Sequence, residues 1–241
     1  MSEVAIVAAL EREVRLLVKR WRVTEREHGG RRFRFYEKDQ ATVVCAGIGR
    51  EAARRAAEAI IALYSPEAIY SAGFAGALDA GLRVGDLVRP QRVVNAGDGS
   101  SVELNGGTGV LVSFGSVASP AQKAKLGAAF AAQAVDMEAA AVAQAAEARG
   151  IRFGVLKAIS DESDFTFPQL DRFVEPDGQF SQWRFALFAV VRPWLWPQVA
   201  RLARSSRLAA MALCSGLEEV IGEDSVAGSD TCGKTHGSLH L

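Results

Sequence analysis

At 241 residues, with 28 basic and 28 acidic side chains and 49% hydrophobic residues, the chain is long enough to bury a sizeable core and carries no net field. That balance excludes recruitment of nucleic acid or anionic membrane by gross charge and leaves a small molecule as the expected partner. The three cysteines (Cys45, Cys214, Cys232) and three histidines (His28, His236, His240) are scattered, with no CxxC pair, so no disulfide framework, metal site or serine triad is expected.

In chain order, Val4 to Ala9 is a short apolar run of the kind a buried strand shows, and Glu11-Arg12-Glu13 then opens a helix through Trp21. Charge interrupts the apolar run early and no basic region precedes it, so the start reads as a strand rather than a signal peptide, and a cytoplasmic location is expected. After a basic stretch around His28-Gly29-Gly30, Arg32 to Tyr36 and Ala41 to Ala46 read as strands of a hairpin over Lys38-Asp39-Gln40. The second ends in Gly47-Ile48-Gly49 and leads into a helix from Glu51 to Tyr64. GIGREA matches the glycine fingerprint of dinucleotide-binding turns, which also needs an acid about 20 residues on, at the end of the next strand. Glu67 instead precedes that strand, Ala68 to Ala72, so a tight strand-to-helix turn is the preferred reading and no cofactor is expected.

Glycines 73, 76, 81 and 85, between Ser71 and Pro90, suit either backbone drawn close to a ligand or ordinary turns. Leu82 to Val88 reads as a turn into a strand, Asn95 to Gly109 as a loop, Val110 to Val112 as a short strand and Ser113 to Ser119 as a loop. Ser119-Pro120 caps a helix ending near Phe130.

The densest chemistry lies between Val135 and Asp164, VDMEAAAVAQAAEARGIRFGVLKAISDESD. Glu138 sits at the mouth of an alanine-rich helix, Ala139 to Ala148, which Gly150 ends. Phe153 to Ile159 is a buried strand, and three acids follow it within Ser160 to Asp164. Ligands of open α/β sheets bind outside the carboxyl ends of the strands, so Asp161 is the acid directed at the crevice. Plainer readings stay open: Glu138 as a partner of its own helix terminus, Glu13 as a solvated partner of Arg12 or an i,i+4 neighbour of Leu17, and a structural role for Asp161. After Pro168, Ser181 to Val191 and Gln198 to Leu217 read as helices around a bend, Arg192 to Pro197, that holds Trp194 and Trp196. Gly222 to Leu241 reads as a disordered or mobile tail, which leaves a single domain over residues 1–221.

AALEREV, GFAGALDAGLRVGDLV, VDMEAAAVAQ and KAISDESD, in that order across residues 4 to 165, resemble the purine nucleoside phosphorylase and nucleosidase superfamily, methylthioadenosine/S-adenosylhomocysteine nucleosidases in particular. The resemblance implies a three-layer α/β/α sandwich with a central twisted mixed sheet, and cleavage of the N-glycosidic bond of a purine nucleoside. It places Asp161 as the general acid for the departing purine, Glu138 with Met137 at the ribose hydroxyls, and Glu13 as the base that activates water. Those residue types suit the reaction, which needs a proton for the base, a negative charge beside the developing ribosyl cation, and a nucleophile from the opposite face. Asp161 is expected to act in its protonated form, favoured by burial at the sheet end.

Phosphorylases of that superfamily hold phosphate with an arginine two residues before the glycine matched by Gly73, where this chain has Ser71. Phe74 stands where relatives carry a hydroxyl. Loss of both anion contacts, with Glu13 retained, favours water over phosphate. Ser116 and Val117 align with the base-pocket loop, where an aromatic usually stacks on adenine, and Phe114 or Phe74 is the candidate replacement. The segment after Asp164, including Pro176-Asp177-Gly178 and RPWLWPQVARLARSSRLAAMAL, resembles the hopanoid-associated phosphorylase branch, which implies a lipid-linked adenosine such as adenosylhopane as substrate. Trp194 and Trp196 are then candidates for contact with a lipid tail or membrane surface, against the alternative of a subunit interface or plain core covering. The resemblance also implies a homo-oligomer, commonly a dimer. The alternatives to a hydrolase are a phosphorylase and a non-catalytic nucleoside-binding module.

Overall fold

The computed structural model describes residues 4–165 and 196–232. The amino-terminal half runs β1 (Val4–Ala8), α1 (Glu11–Val18), β2 (Arg22–His28), β3 (Arg31–Lys38), β4 (Ala41–Cys45), α2 (Arg50–Tyr64) and β5 (Ala68–Ala77). Short strands follow: β6 (Leu87–Val88), β7 (Arg92–Asn95), β8 (Ser101–Glu103) and β9 (Val110–Ser113). The rest comprises α3 (Pro120–Phe130), β10 (Ala134–Asp136), α4 (Ala139–Glu147), β11 (Arg152–Asp161) and α5 (Trp196–Cys232).

The strands join one mixed sheet in the order β2-β3-β4-β1-β5-β10-β9-β7-β8, with β11 paired to β5 and to β6. Side-chain alternation divides its two faces. Val4, Ile6 and Ala8 pack with Val14 and Leu17 of α1 and Leu213 and Leu217 of α5. Ala5 and Val7 pack on the other face with Ala53, Ala57 and Ile60 of α2 and Val142 and Ala146 of α4. The result is the expected three-layer α/β/α sandwich. Each fully buried Ile or Leu at these contacts stabilises it by about 1.5–3 kcal/mol. The alanine faces of α2 and α4 let these helices lie close to each other and to the strands.

Three features place the site. β1, β4 and β11 run parallel to β5, so their carboxyl ends open on one edge. β10 instead runs antiparallel to the end of β5, with Val135 opposite Gly76, which turns the chain after Asp136 back toward Gly73. At the end of β11 the register shifts between Ile159 and Asp161, a bulge that re-aims the last residue of the strand.

Several boundaries differ from the sequence reading. The first helix ends at Val18 rather than Trp21, and a strand, Arg22–His28, follows where only a basic stretch was apparent. It pairs with β3 along its whole length, and its exposed charged residues hide the alternation that identifies a half-buried strand. The segment from Asn95 to Gly109 is not all loop, because β8 pairs with β7 inside it. Ala134–Asp136 is a strand too short to register as one. The helix expected over Gln198 to Leu217 runs from Trp196 to Cys232, straight through Gly222. Asp224 shows why: it is buried, accepts from Tyr70 Oη at 2.9 Å and pairs with Arg152 at 2.8 Å, so tertiary anchors override the polar composition. The bend with Trp194, the helix over Ser181 to Val191, the Pro176-Asp177-Gly178 segment and residues 233–241 lie outside the described residues. Among the described residues, no helix is long and apolar enough to cross a membrane.

Candidate active site

A cavity of about 680 Å³ opens at the carboxyl edge of the sheet. Glu13, Phe74, Ser116, Val117, Met137, Glu138 and Asp161 all line it, so residues from five separate segments of the sequence converge. Gly73 is not a wall residue and acts from behind: a Cβ there would stand 2.9 Å from Glu13 Oε2, and its φ of +146° suits glycine. Phe114 packs instead into a core cluster with Val94, Val112 and Leu126, so Phe74 is the aromatic that faces the cavity.

Glu13 enters from the first turn of α1 and is 4% exposed. Its Oε2 accepts the Leu10 backbone N–H at 3.3 Å, folding the carboxylate back over the helix start rather than out toward solvent. Burial, with repulsion from Glu138, pushes its pKa up to about 7 against the opposing pull of Lys157. Burial likewise raises Glu138, with Lys157 opposing and Asp136 adding to the rise.

Glu138 does not cap its own helix. Its Oε1 accepts from the Gly49 amide at 2.8 Å and its Oε2 from the Met137 amide at 3.3 Å. The Gly47-Ile48-Gly49 turn therefore has a use beyond tight packing: glycine conformations, with φ of +96° at both ends, aim an amide at the carboxylate. Glu138 stands at the N-cap position of α4, but the side chain that accepts the first helical amide is Asp136, whose Oδ2 accepts from Ala139 N at 2.8 Å while Oδ1 accepts from Ser113 Oγ at 2.6 Å.

Two buried lysines were not singled out from the sequence. Lys157, on β11 and 1% exposed, pairs with Asp136 at 2.8 Å. Burial works against its ammonium, but Asp136, Glu138 and Glu13 outweigh that cost and hold it above its ordinary value. Lys123, on the first turn of α3 and 3% exposed, pairs with Asp161. The signal for Lys157 was a lysine within an otherwise apolar buried strand, and for Lys123 one placed four residues after the Ser119 cap. α5 completes the wall with Val199, Leu202, Ala203 and Ser206. Among the described residues, no group of three or more His, Cys, Asp or Glu is arranged to hold a metal ion.

A three-layer sandwich with buried carboxylates gathered at its strand ends defines a nucleoside phosphorylase/nucleosidase-like α/β protein. The chain belongs to the phosphorylase superfamily, whose model matches residues 3–120 and 107–182. Among solved structures it is similar to a 5′-methylthioadenosine/S-adenosylhomocysteine nucleosidase of Colwellia psychrerythraea in complex with adenine, at 26% identity and a TM-score of 0.60, over 68% of this chain and 85% of that one. Futalosine hydrolase of Helicobacter pylori shares the fold over 90% of this chain and 98% of its own, at 21% identity and a TM-score of 0.65. The methylthioadenosine/S-adenosylhomocysteine nucleosidase of Campylobacter jejuni does so over 91% and 100%, at 18% identity and a TM-score of 0.64. The sequence matches no curated protein.

Proposed function

We propose that the protein is an N-ribosyl hydrolase that releases adenine from an adenosine modified at its 5′ carbon. The observation that carries this reading is the convergence of Glu13, Glu138 and Asp161 on one cavity from three separate strand ends. Asp161 lies at the edge where the purine departs, Glu138 with Met137 grips the ribose hydroxyls, and Glu13 takes a proton from the attacking water. A carboxylate with a pKa of about 7 suits that base, since a substantial fraction is ionised at neutral pH and it is basic enough to accept a proton.

Water is favoured over phosphate on electrostatic grounds. Glu13 and Glu138 are buried and repel each other, so a phosphate dianion brought between them meets charge of its own sign. Phe74, in the wall, supplies no hydroxyl for an anion. The apolar wall of Val199, Leu202 and Ala203, together with Val117 and Phe74, supports an apolar 5′ substituent, from a methylthio group to the hydrocarbon of an adenosylhopane-like nucleoside.

Adenine release from adenosines with 5′ groups graded from hydroxyl through methylthio and long alkyl to a polycyclic hydrocarbon, with and without phosphate, tests this reading. The expected product is free 5′-modified ribose at a rate independent of phosphate. A 5′-modified ribose 1-phosphate formed only with phosphate identifies a phosphorylase, and tight binding without adenine release identifies a binding module.

Gly73→Ala is expected to lower kcat/KM for adenine release by about 100-fold, because an added Cβ displaces the Glu13 carboxylate. Gly85→Ala provides the control. It places the same methyl at a positive φ, +95°, with no atom within 4 Å, and is expected to strain the fold without slowing turnover.

A further inference from the structure

Asp161 is held at the cavity wall by two side chains. Its Oδ2 accepts from Lys123 Nζ, and its Oδ1 accepts from Ser160 Oγ at 2.7 Å. Both oxygens are thus acceptors, one toward an ammonium and the other toward a hydroxyl, and a serine hydroxyl is a poor acid. Lys123 Nζ also donates to the Glu162 carbonyl at 2.7 Å, which fixes the ammonium between two oxygens at the cavity wall. The chain leaves room for this meeting: a Cβ at Gly76 would stand 2.9 Å from Asp161 Oδ2 and 3.2 Å from Lys123 Nζ. Burying a lysine almost completely is costly unless its charge is paired and hydrogen-bonded. Here the pair faces the place where a departing base needs a proton.

We infer that Lys123, acting through Asp161, is the source of the proton that the departing purine takes up. The inference rests on the hydrolase reading above. As the bond between C1′ and the ring nitrogen breaks, its electron pair moves onto the purine. A proton passes from Asp161 to a ring nitrogen while Lys123 Nζ passes one to Asp161, leaving a neutral amine beside an ionised carboxylate. Water bonds to C1′ and loses a proton to Glu13. After the products leave, Glu13 gives up that proton and Lys123 regains one, by exchange with solvent, so charge and atoms balance over the cycle. Lysine suits the task because its ammonium can release a proton, whereas an arginine at the same place stays protonated.

Lys123→Arg, compared with wild type and Lys123→Met, separates a proton source from a charge that only orients Asp161. Each protein is assayed on a 5′-methylthioadenosine and on 4-nitrophenyl β-ribofuranoside, whose leaving group departs without a proton. The expected result is that Lys123→Arg loses about 100-fold or more in adenine release relative to its rate on the nitrophenyl riboside. Adenine release by Lys123→Arg at the wild-type rate overturns the inference, because a fixed cation then suffices. An equal fall of Lys123→Arg on both substrates also overturns it, since the residue then serves only the shape of the site. A wild-type protein that cleaves neither substrate overturns the hydrolase reading itself, and this inference with it.

Discussion

Glu13→Gln is expected to lower adenine release by about 100-fold to 10,000-fold and, at the same time, to make the folded protein more stable above pH 7. The two effects share one cause. Burial and the neighbouring Glu138 lift Glu13 from an ordinary 4.5 to about 7, so ionising it in the folded state is unfavourable. A raised folded-state pKa contributes stability that is fully present below about 4.5 and lost as pH rises through about 7. Glutamine has no such loss. The stability difference between variant and wild type should therefore grow by about 3 kcal/mol between pH 4.5 and pH 8, as measured by urea unfolding across that range. Catalysis runs the other way, because only the ionised carboxylate accepts a proton from water: wild-type kcat/KM should fall as pH drops below about 7, and the remaining rate of Glu13→Gln should lack that limb. A variant that keeps full turnover, or a stability difference flat in pH, would remove Glu13 from the proposed role.

The parts of this site legible in the sequence were those whose chemistry is written in local pattern. Asp161 directly follows a buried apolar strand, Glu138 precedes an alanine-rich helix, and Glu13 follows the first strand by a few residues. The strand-end rule places Glu13 and Asp161 near one crevice, and the family resemblance adds Glu138 to them. What was not legible depends on pairings across the sheet. Asp136 belongs to a strand of three residues, and its partners Ser113 and Lys157 lie 23 residues before it and 21 after. No periodicity joins such positions. Nothing in the local pattern of α3 marks Lys123 as buried, and the packing of α3 against β9 and β10 turns it inward. The ion pair between Lys123 and Asp161 was hidden for the same reason, since the two residues lie 38 positions apart. The glycine turn at Gly47 to Gly49 was legible as a tight strand-to-helix turn, but its amide partner, Glu138, is 89 residues away.

Lys157→Met is expected to destabilise the protein by about 3–5 kcal/mol, the loss typical of breaking a buried ion pair on one side only. Asp136 is the reason the cost is high. It is 4% exposed, and although Ser113 Oγ and the Ala139 amide still donate to it, neither brings a full positive charge. The adjacent Glu138 and Glu13 lose their nearest buried cation in the same step. Asp136→Asn should cost less, because Lys157 keeps both glutamates as neighbours and the amide can still accept from Ala139. The double variant should be more stable than the sum of the single losses allows, by roughly 1 kcal/mol or more, in a urea-unfolding cycle at pH 7. Strict additivity would show that the two side chains do not act as a pair. The pH profile supplies a second readout that simple loosening of the core would not produce. Lys157 holds Glu13 down against burial, so its removal should move the acid limb of kcat/KM to a pH above about 7. The same lysine that stabilises the sheet end therefore keeps the pKa of Glu13 from rising further above neutral, and one substitution should disturb stability and the working pH together.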